Sequence, residues 1–232
     1  MNEQNLQNIE TDKENNKPEK HPKQDFQVER LAFFSDAVFA IAITLLVVEF
    51  KVPHITGSTI EDVLKQLYDL KFNFIAILFS FFIIAVFWAN HHLLFKHIHN
   101  YNNQIIIANM FVLLPIIFFP FTTTFVAECF GRITPDFMTL GFRIFSLNVF
   151  IAALAIYIFY RIAIVKYKEM SYPMAMQDKI NFVRGSLFRI VFFAVMFVVT
   201  CITSNVFIFD LAMIIVVVLY RILKKRLAWN NV

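Results

Sequence analysis

Long apolar runs at 31–50, 72–95, 104–127, 137–160, 187–203 and 206–223 alternate along the chain with short segments that hold most of its charge, Asn and Pro. At about 1.5 Å of rise per residue, roughly 20 residues cross the ~30 Å hydrocarbon core of a bilayer, so the pattern predicts six transmembrane helices. The last division rests on Thr203-Ser204-Asn205. A tight hairpin there gives two spans, and one long helix is the alternative. Pro115 and Pro120 break the third run. In the 51–70 loop, Ile60, Val63, Leu64, Leu67 and Tyr68 fall at helical spacing and predict a short amphipathic helix on the outer surface. Residues 1–28 are polar and contain Pro18 and Pro22, which predicts a disordered tail ahead of a six-helix domain at 29–227. The first apolar run begins too late for a cleaved signal peptide, so the first helix is expected to be retained.

Composition narrows the class. Of 232 residues, 59% are hydrophobic, 16% are charged and 30 are Phe, which makes this an all-α polytopic membrane protein. The net charge of +4 does not point to nucleic acid, because the basic residues sit between apolar runs, where they set topology and meet lipid headgroups. With the N-terminus inside, the inner segments carry Lys13, Lys17, Lys20, Lys23, Arg30, Lys96, Arg161, Lys166, Lys168, Lys179, Arg184, Arg221, Lys224, Lys225 and Arg226. The outer segments hold Lys51, Lys65, Lys71 and Arg132. This imbalance predicts a multi-pass protein of the cell membrane with both termini cytoplasmic. Cys129 and Cys201 show neither CxxC nor metal-ligand spacing, so neither a zinc site nor a disulfide framework has support.

Polar residues inside the apolar runs carry the candidate chemistry. Asp36, the group Trp88, Asn90, His91 and His92, and Asn109 fall at one predicted depth near the cytoplasmic ends of the first three spans. Unsatisfied polar groups in hydrocarbon cost several kcal/mol each, so a mutual hydrogen-bond cluster is expected. Trp88 and His92 share a helical face, and Arg30 can pair with Asp36 directly or through Ser35. Such a cluster either fastens three helices together or handles protons or ions. Adjacent histidines diverge by about 100° on a helix and no third ligand recurs, so no metal is expected. Further along the first span, Ile41, Thr44, Leu45 and Val48 form a narrow stripe whose sole polar group is a hydroxyl. Two readings fit it: a helix-packing seam, or a pore wall in which symmetric copies make apolar rings and a hydroxyl ring.

The stretch Arg30-x-x-x-Phe34-Ser35-Asp36, followed by Ala-Val-Phe-Ala-Ile-Ala-Ile-Thr-Leu-Leu, resembles the signature of the transmembrane protein 175 family of potassium channels in its bacterial form. Phe87-Trp88, His91-His92, and Asn109 with Pro120-Phe-Thr122 resemble its accompanying features. The likeness covers the first three spans. It implies a six-helix subunit in a homotetramer, with the first helix lining a central pore. It further implies that Ile41 forms the hydrophobic constriction, Thr44 the polar layer linked to selectivity, and Leu45 and Val48 the adjoining wall. Arg30, Ser35, Asp36, Trp88, His92 and Asn109 would hold that helix in place, with the consecutive His91 and His92 leaving open which of them reaches the Ser-Asp pair. The activity implied is a leak-like potassium conductance with potassium as the permeant ion and no cofactor.

Other features agree with a departure from standard potassium channels. No Thr-Val-Gly-Tyr-Gly filter is present, and Gly57, Gly131, Gly141 and Gly185 are expected in loops or near helix ends, so no carbonyl-lined filter is available. Selectivity must then come from side chains. No span repeats Arg at every third position, as a voltage sensor would. A secondary transporter is the alternative, but the Arg-x-x-x-Phe-Ser-Asp pattern has no second copy and no other span matches the Pro-broken third one. An enzyme would need a nucleophile, metal set or phosphate loop, and none is evident.

Overall fold

The computed structural model describes residues 22–49, 59–131 and 134–205, together with Ile208, Leu211, Ile214, Ile215, Val218 and Arg221. Helix α1 spans Pro22–Val48, α2 Ile60–Asp69, α3 Lys71–Phe95, α4 Asn103–Ile117, α5 Phe119–Gly131, α6 Pro135–Tyr160 and α7 Met176–Ile202. Five stretches among the described residues are long and apolar enough to cross a membrane: Gln27–Val48, Lys71–Phe95, Asn103–Phe130, Pro135–Lys166 and Met176–Ile202. The sixth expected span, 206–223, lies mostly outside the described residues, and the six positions described there are helical.

Several boundaries differ from the hydropathy pattern. Helix α1 begins at Pro22, inside the stretch expected to be a tail, because proline at a helix start gives up only an amide that lacks an internal partner. The tail expected at 1–21 lies outside the described residues. Helix α7 starts at Met176, well before the apolar run at 187, so its first turns are polar helix. It ends at Ile202, where Thr203 turns to extended backbone (φ −142°, ψ 145°), so the chain leaves the helix at Thr203-Ser204-Asn205. Gly141 and Gly185 lie within α6 and α7, not at their ends. A Cβ on Gly141 would sit 2.8 Å from the Cys129 Cβ, so the missing side chain lets α5 and α6 approach closely.

The amphipathic helix expected before the second span is α2. Its first turn is closed by a capping box: Asp62 N–H donates to Thr59 Oγ1 (3.2 Å) and Thr59 N–H to Asp62 Oδ2 (3.3 Å). Ile60, Leu64, Leu67 and Tyr68 are all exposed, which leaves α2 an apolar face outside the helix packing. The third span divides at Phe118 into α4 and α5, where Pro115 and Pro120 cannot supply helical amides. Asn148 of α6 spans the break by donating from Nδ2 to Pro115 O (3.2 Å), which also accepts from Phe118 N–H (3.2 Å), with Thr122 Oγ1 at 3.4 Å.

Helix α6 is the hub, packed against α4, α5 and α7, while α1 lies against α3, α4 and α5. The core between them is built from Phe side chains such as Phe87, Phe119 and Phe145, with successive ring centroids 6.2 Å apart. At the expected cytoplasmic side, His99 and Asn100 donate backbone amides to Met170 O, and Tyr172 donates to His97 O. These bonds clamp the α3–α4 connection to the segment before α7. That clamp fixes the register of the end at which the polar residues meet.

Candidate functional site

Helix α1 is apolar nearly all round, yet its two faces are treated very differently. Ser35, Phe39, Ala42 and Leu46 are at most 1% exposed and form the face packed into the bundle. At about 100° per residue, Ile41, Thr44, Leu45 and Val48 centre about 140° away from that face. Ile41 is 56%, Leu45 39% and Val48 72% exposed, so none of them is needed for the subunit's own core. Thr44 is also exposed, and its hydroxyl donates to Ile41 O at 2.9 Å. With the proton spent on the helix, the oxygen lone pairs are what Thr44 presents outward.

The buried face carries a chain of hydrogen bonds across three helices. His91 Nε2 of α3 lies 2.8 Å from Asn109 Oδ1 of α4. Asn109 Nδ2 donates to Ser35 Oγ of α1 (2.9 Å), and Ser35 Oγ donates to Leu31 O (2.9 Å). These directions assign the tautomer. Because the Asn109 amide nitrogen faces Ser35, its oxygen faces His91, so His91 must carry its proton on Nε2. Each donor then passes in one direction and the last ends on backbone. The three side chains are 0% exposed, and His91 sits between Phe39, Phe95 and Phe159, with ring centroids 5.4, 4.6 and 5.7 Å away. Its Nδ1 is buried with no hydrogen-bond partner.

A second, shallower contact stands beside the first. Trp88 Nε1 donates to Asp36 Oδ1 at 2.9 Å, and His92 stacks on the Trp88 indole with centroids 5.5 Å apart. The geometry therefore divides the predicted cluster in two, and it is His91, one residue before its exposed neighbour His92, that reaches the Ser35 side. Arg30 joins neither part. It is exposed, and no ion pair links it to Asp36 among the described residues. Asn90 turns away as well, donating to Val86 O (2.6 Å).

Two intramembrane arginines escape the sequence reasoning. Arg189 of α7 reaches Ser186 Oγ (3.1 Å) and Asn90 Oδ1 (3.5 Å), and Arg143 of α6 donates through Nε to Thr200 O (3.1 Å). The signal was available, because an Arg inside an apolar run is costly and needs a partner. Ser80 and Thr123 likewise form a buried pair, with Thr123 donating at 2.7 Å. Cys129 is buried in α5 and Cys201 is exposed near the end of α7. No group of three or more His, Cys, Asp or Glu able to hold a metal occurs among the described residues.

Residues 30–120, which contain both faces of α1 and both polar contacts, match the family model described as the endosomal/lysosomal potassium channel TMEM175. The chain resembles the TMEM175 family. A protein from Chamaesiphon minutus named a potassium channel is 39% identical over 99 residues, 43% of this chain and 49% of that one. One of the same name from a Chryseobacterium species is 35% identical over 98 residues, 42% of this chain and 47% of that one. The chain thus spans about half the length of the curated relatives it matches. A crystal structure of a lysosomal potassium-selective TMEM175 homolog from Chamaesiphon minutus is similar at TM-score 0.65 and 26% identity, covering 84% of this chain and 97% of that one. The TMEM175 likeness in fold therefore extends beyond the matched stretch. It is a likeness to channels, not to enzymes, and the chain is a multi-pass membrane protein.

Proposed function

We propose that this protein is a potassium-permeable, leak-like cation channel of the cell membrane, with both termini cytoplasmic. Four copies form a closed ring around a central pore, and α1 of each lines it. Ile41 makes the hydrophobic constriction, Thr44 the polar layer that discriminates among cations, and Leu45 and Val48 the adjoining wall. The observation that carries this reading is the outward stripe on α1: apolar, exposed, and on the helix that buried hydrogen bonds hold from behind.

Physical chemistry supports each part. One copy of the stripe cannot enclose a pore, whereas cyclic symmetry turns each position into a ring. Apolar rings gate by dewetting, and a ring of hydroxyls whose protons are internally committed offers oxygen lone pairs to a cation. The relatives named as potassium channels point to the same ion. Ser35, Asp36, Trp88, His91 and Asn109 then position α1 without touching the ion. Arg30 and His92 flank that network, His92 by stacking on Trp88.

Purified protein in liposomes under asymmetric potassium and sodium tests the proposal through reversal potentials. A passive potassium-dominated current is expected, and flux that needs a coupled second solute would replace the channel with a transporter. Ile41→Asn should raise conductance several-fold by wetting the constriction. Thr44→Ala should move the reversal potential, and an unmoved one removes Thr44 from selectivity.

A further inference from the structure

A groove of about 520 Å³ runs between α4 and α6, on a part of the subunit that neither α1 nor the polar network uses. Ile107, Phe111 and Leu114 line one wall at i, i+4 and i+7, and Ile151, Leu154 and Ile158 line the other at i, i+3 and i+7. All six are exposed. The volume lies within the range of about 300–1,000 Å³ usual for ligand sites. From Gln104 at one end to Leu114 at the other is ten residues of helix, roughly 15 Å, which is the depth of one leaflet of a ~30 Å hydrocarbon core.

The two ends of the groove differ. Toward Leu114 it is bounded by apolar side chains, whereas at Gln104 and Ile162 it opens onto a polar trio. Gln104 Oε1 accepts from both Lys166 Nζ and Tyr167 OH, each at 2.8 Å. Of the three ammonium N–H groups on Lys166, Gln104 takes one, so the charge is fixed in place with donor capacity left. Arg161 and Lys168 are exposed on the same segment, against the single acid Glu169, which leaves this end cationic. The backbone here departs from α-helix: Arg161–Lys166 form a π turn. Such a turn takes more residues per revolution, which holds Lys166 back toward the face of Ile158 and Ile162 instead of letting it drift around the helix. Local π turns often mark functional positions.

We infer that this groove binds an anionic phospholipid of the leaflet on the Lys166 side. One acyl chain lies between α4 and α6, and the phosphate meets the remaining Lys166 ammonium N–H groups at the mouth, where Tyr167 and Gln104 hold the lysine in place. A leaflet-deep apolar slot ending in a fixed cation is complementary to a molecule with a long apolar chain and a negative head. The inference needs only that the chain spans a membrane. Its test does not read conductance, so failure of the channel reading and failure of this one are separable.

Native mass spectrometry of the delipidated protein, titrated with phosphatidylglycerol or with phosphatidylcholine of the same chains, decides it. Wild type should retain phosphatidylglycerol in preference, and equal retention of the two overturns the site without any variant. Lys166→Gln should weaken phosphatidylglycerol retention about fivefold and leave phosphatidylcholine unchanged. Lys166→Arg should restore the preference. Leu154→Trp, which fills the slot, should reduce retention of both lipids while the oligomeric mass stays constant. If Leu154→Trp instead breaks the oligomer, the groove is a subunit interface and the proposal falls. Soluble glycerophosphoglycerol, which has the headgroup but no chains, should not displace the lipid. Displacement by it would show that the groove plays no part.

Discussion

Helix α1 has two apolar faces, and their difference is the most instructive feature of the molecule. One face is buried, and the polar atoms it holds are all spoken for: Ser35 is fastened to Asn109 and through it to His91. The other face is just as apolar, yet Ile41, Leu45 and Val48 are left exposed. A helix that were merely part of a core would not need so specific a fastening on one side. Polar groups that stabilise one orientation of an all-round apolar helix decide which side is left outward.

Substitutions on the buried face should change folding and leave the proposed conductance per folded channel alone, while those on the stripe should do the reverse. The largest effect is expected for Asn109→Leu, which strands the buried His91 Nε2–H at a cost of about 1–3 kcal/mol and also takes from Ser35 Oγ the bond it accepts, leaving that hydroxyl only its bond to Leu31 O. Thermal unfolding in detergent should show a large drop, and an unchanged profile would break the claim that this chain of bonds holds α1. Next comes the histidine contrast. His91→Phe should destabilise strongly because Asn109 loses its partner, whereas His92→Phe should cost no more than the stacking on Trp88, about 0.5–1.5 kcal/mol. Equal losses would mean that the two polar contacts act as one unit. Trp88→Phe removes the donor to Asp36 and should cost about 1 kcal/mol or less, below Asn109→Leu because this contact is exposed. Last, Arg30→Gln should shift unfolding by within about 0.5 kcal/mol, as for other surface changes, and a larger shift would bring Arg30 into the network after all. Ile41→Asn sharpens the comparison from the other side: it should change current and leave the unfolding temperature in place.

Much of the architecture was legible from periodicity and length. The spans at 72–95 and 104–127 coincide with α3 and with α4 plus α5 to within a few residues, and the amphipathic spacing from Ile60 to Tyr68 is α2. A common depth for Asp36, the group Trp88, Asn90, His91 and His92, and Asn109 is expected from topology, because costly groups in hydrocarbon must find partners; Asp36 meets Trp88 and His91 meets Asn109, while Asn90 turns to Val86 O. Polar helical turns without an apolar signal were not legible. That is why α1 and α7 begin nine and eleven residues before the runs at 31 and 187. Arg143 and Arg189 stood in plain view inside apolar runs, but their partners are Thr200 O, Ser186 and Asn90, and a backbone carbonyl on another helix leaves no mark in sequence.

The amino-acid sequence by itself determined that this is an all-helical membrane protein, where most of its spans lie, and which side chains must find partners within them. Hydropathy and hydrogen-bonding capacity are properties of residues, so they can be read in order along the chain. Only the tertiary structure decided that His91 and not His92 reaches Asn109, that Arg30 stays outside, which face of α1 is buried, and that α4 and α6 part to form a leaflet-deep groove. These depend on the rotation and separation of helices about their axes. For a helix apolar nearly all round, rotation is set by packing and by a few hydrogen bonds to distant residues, not by its own pattern.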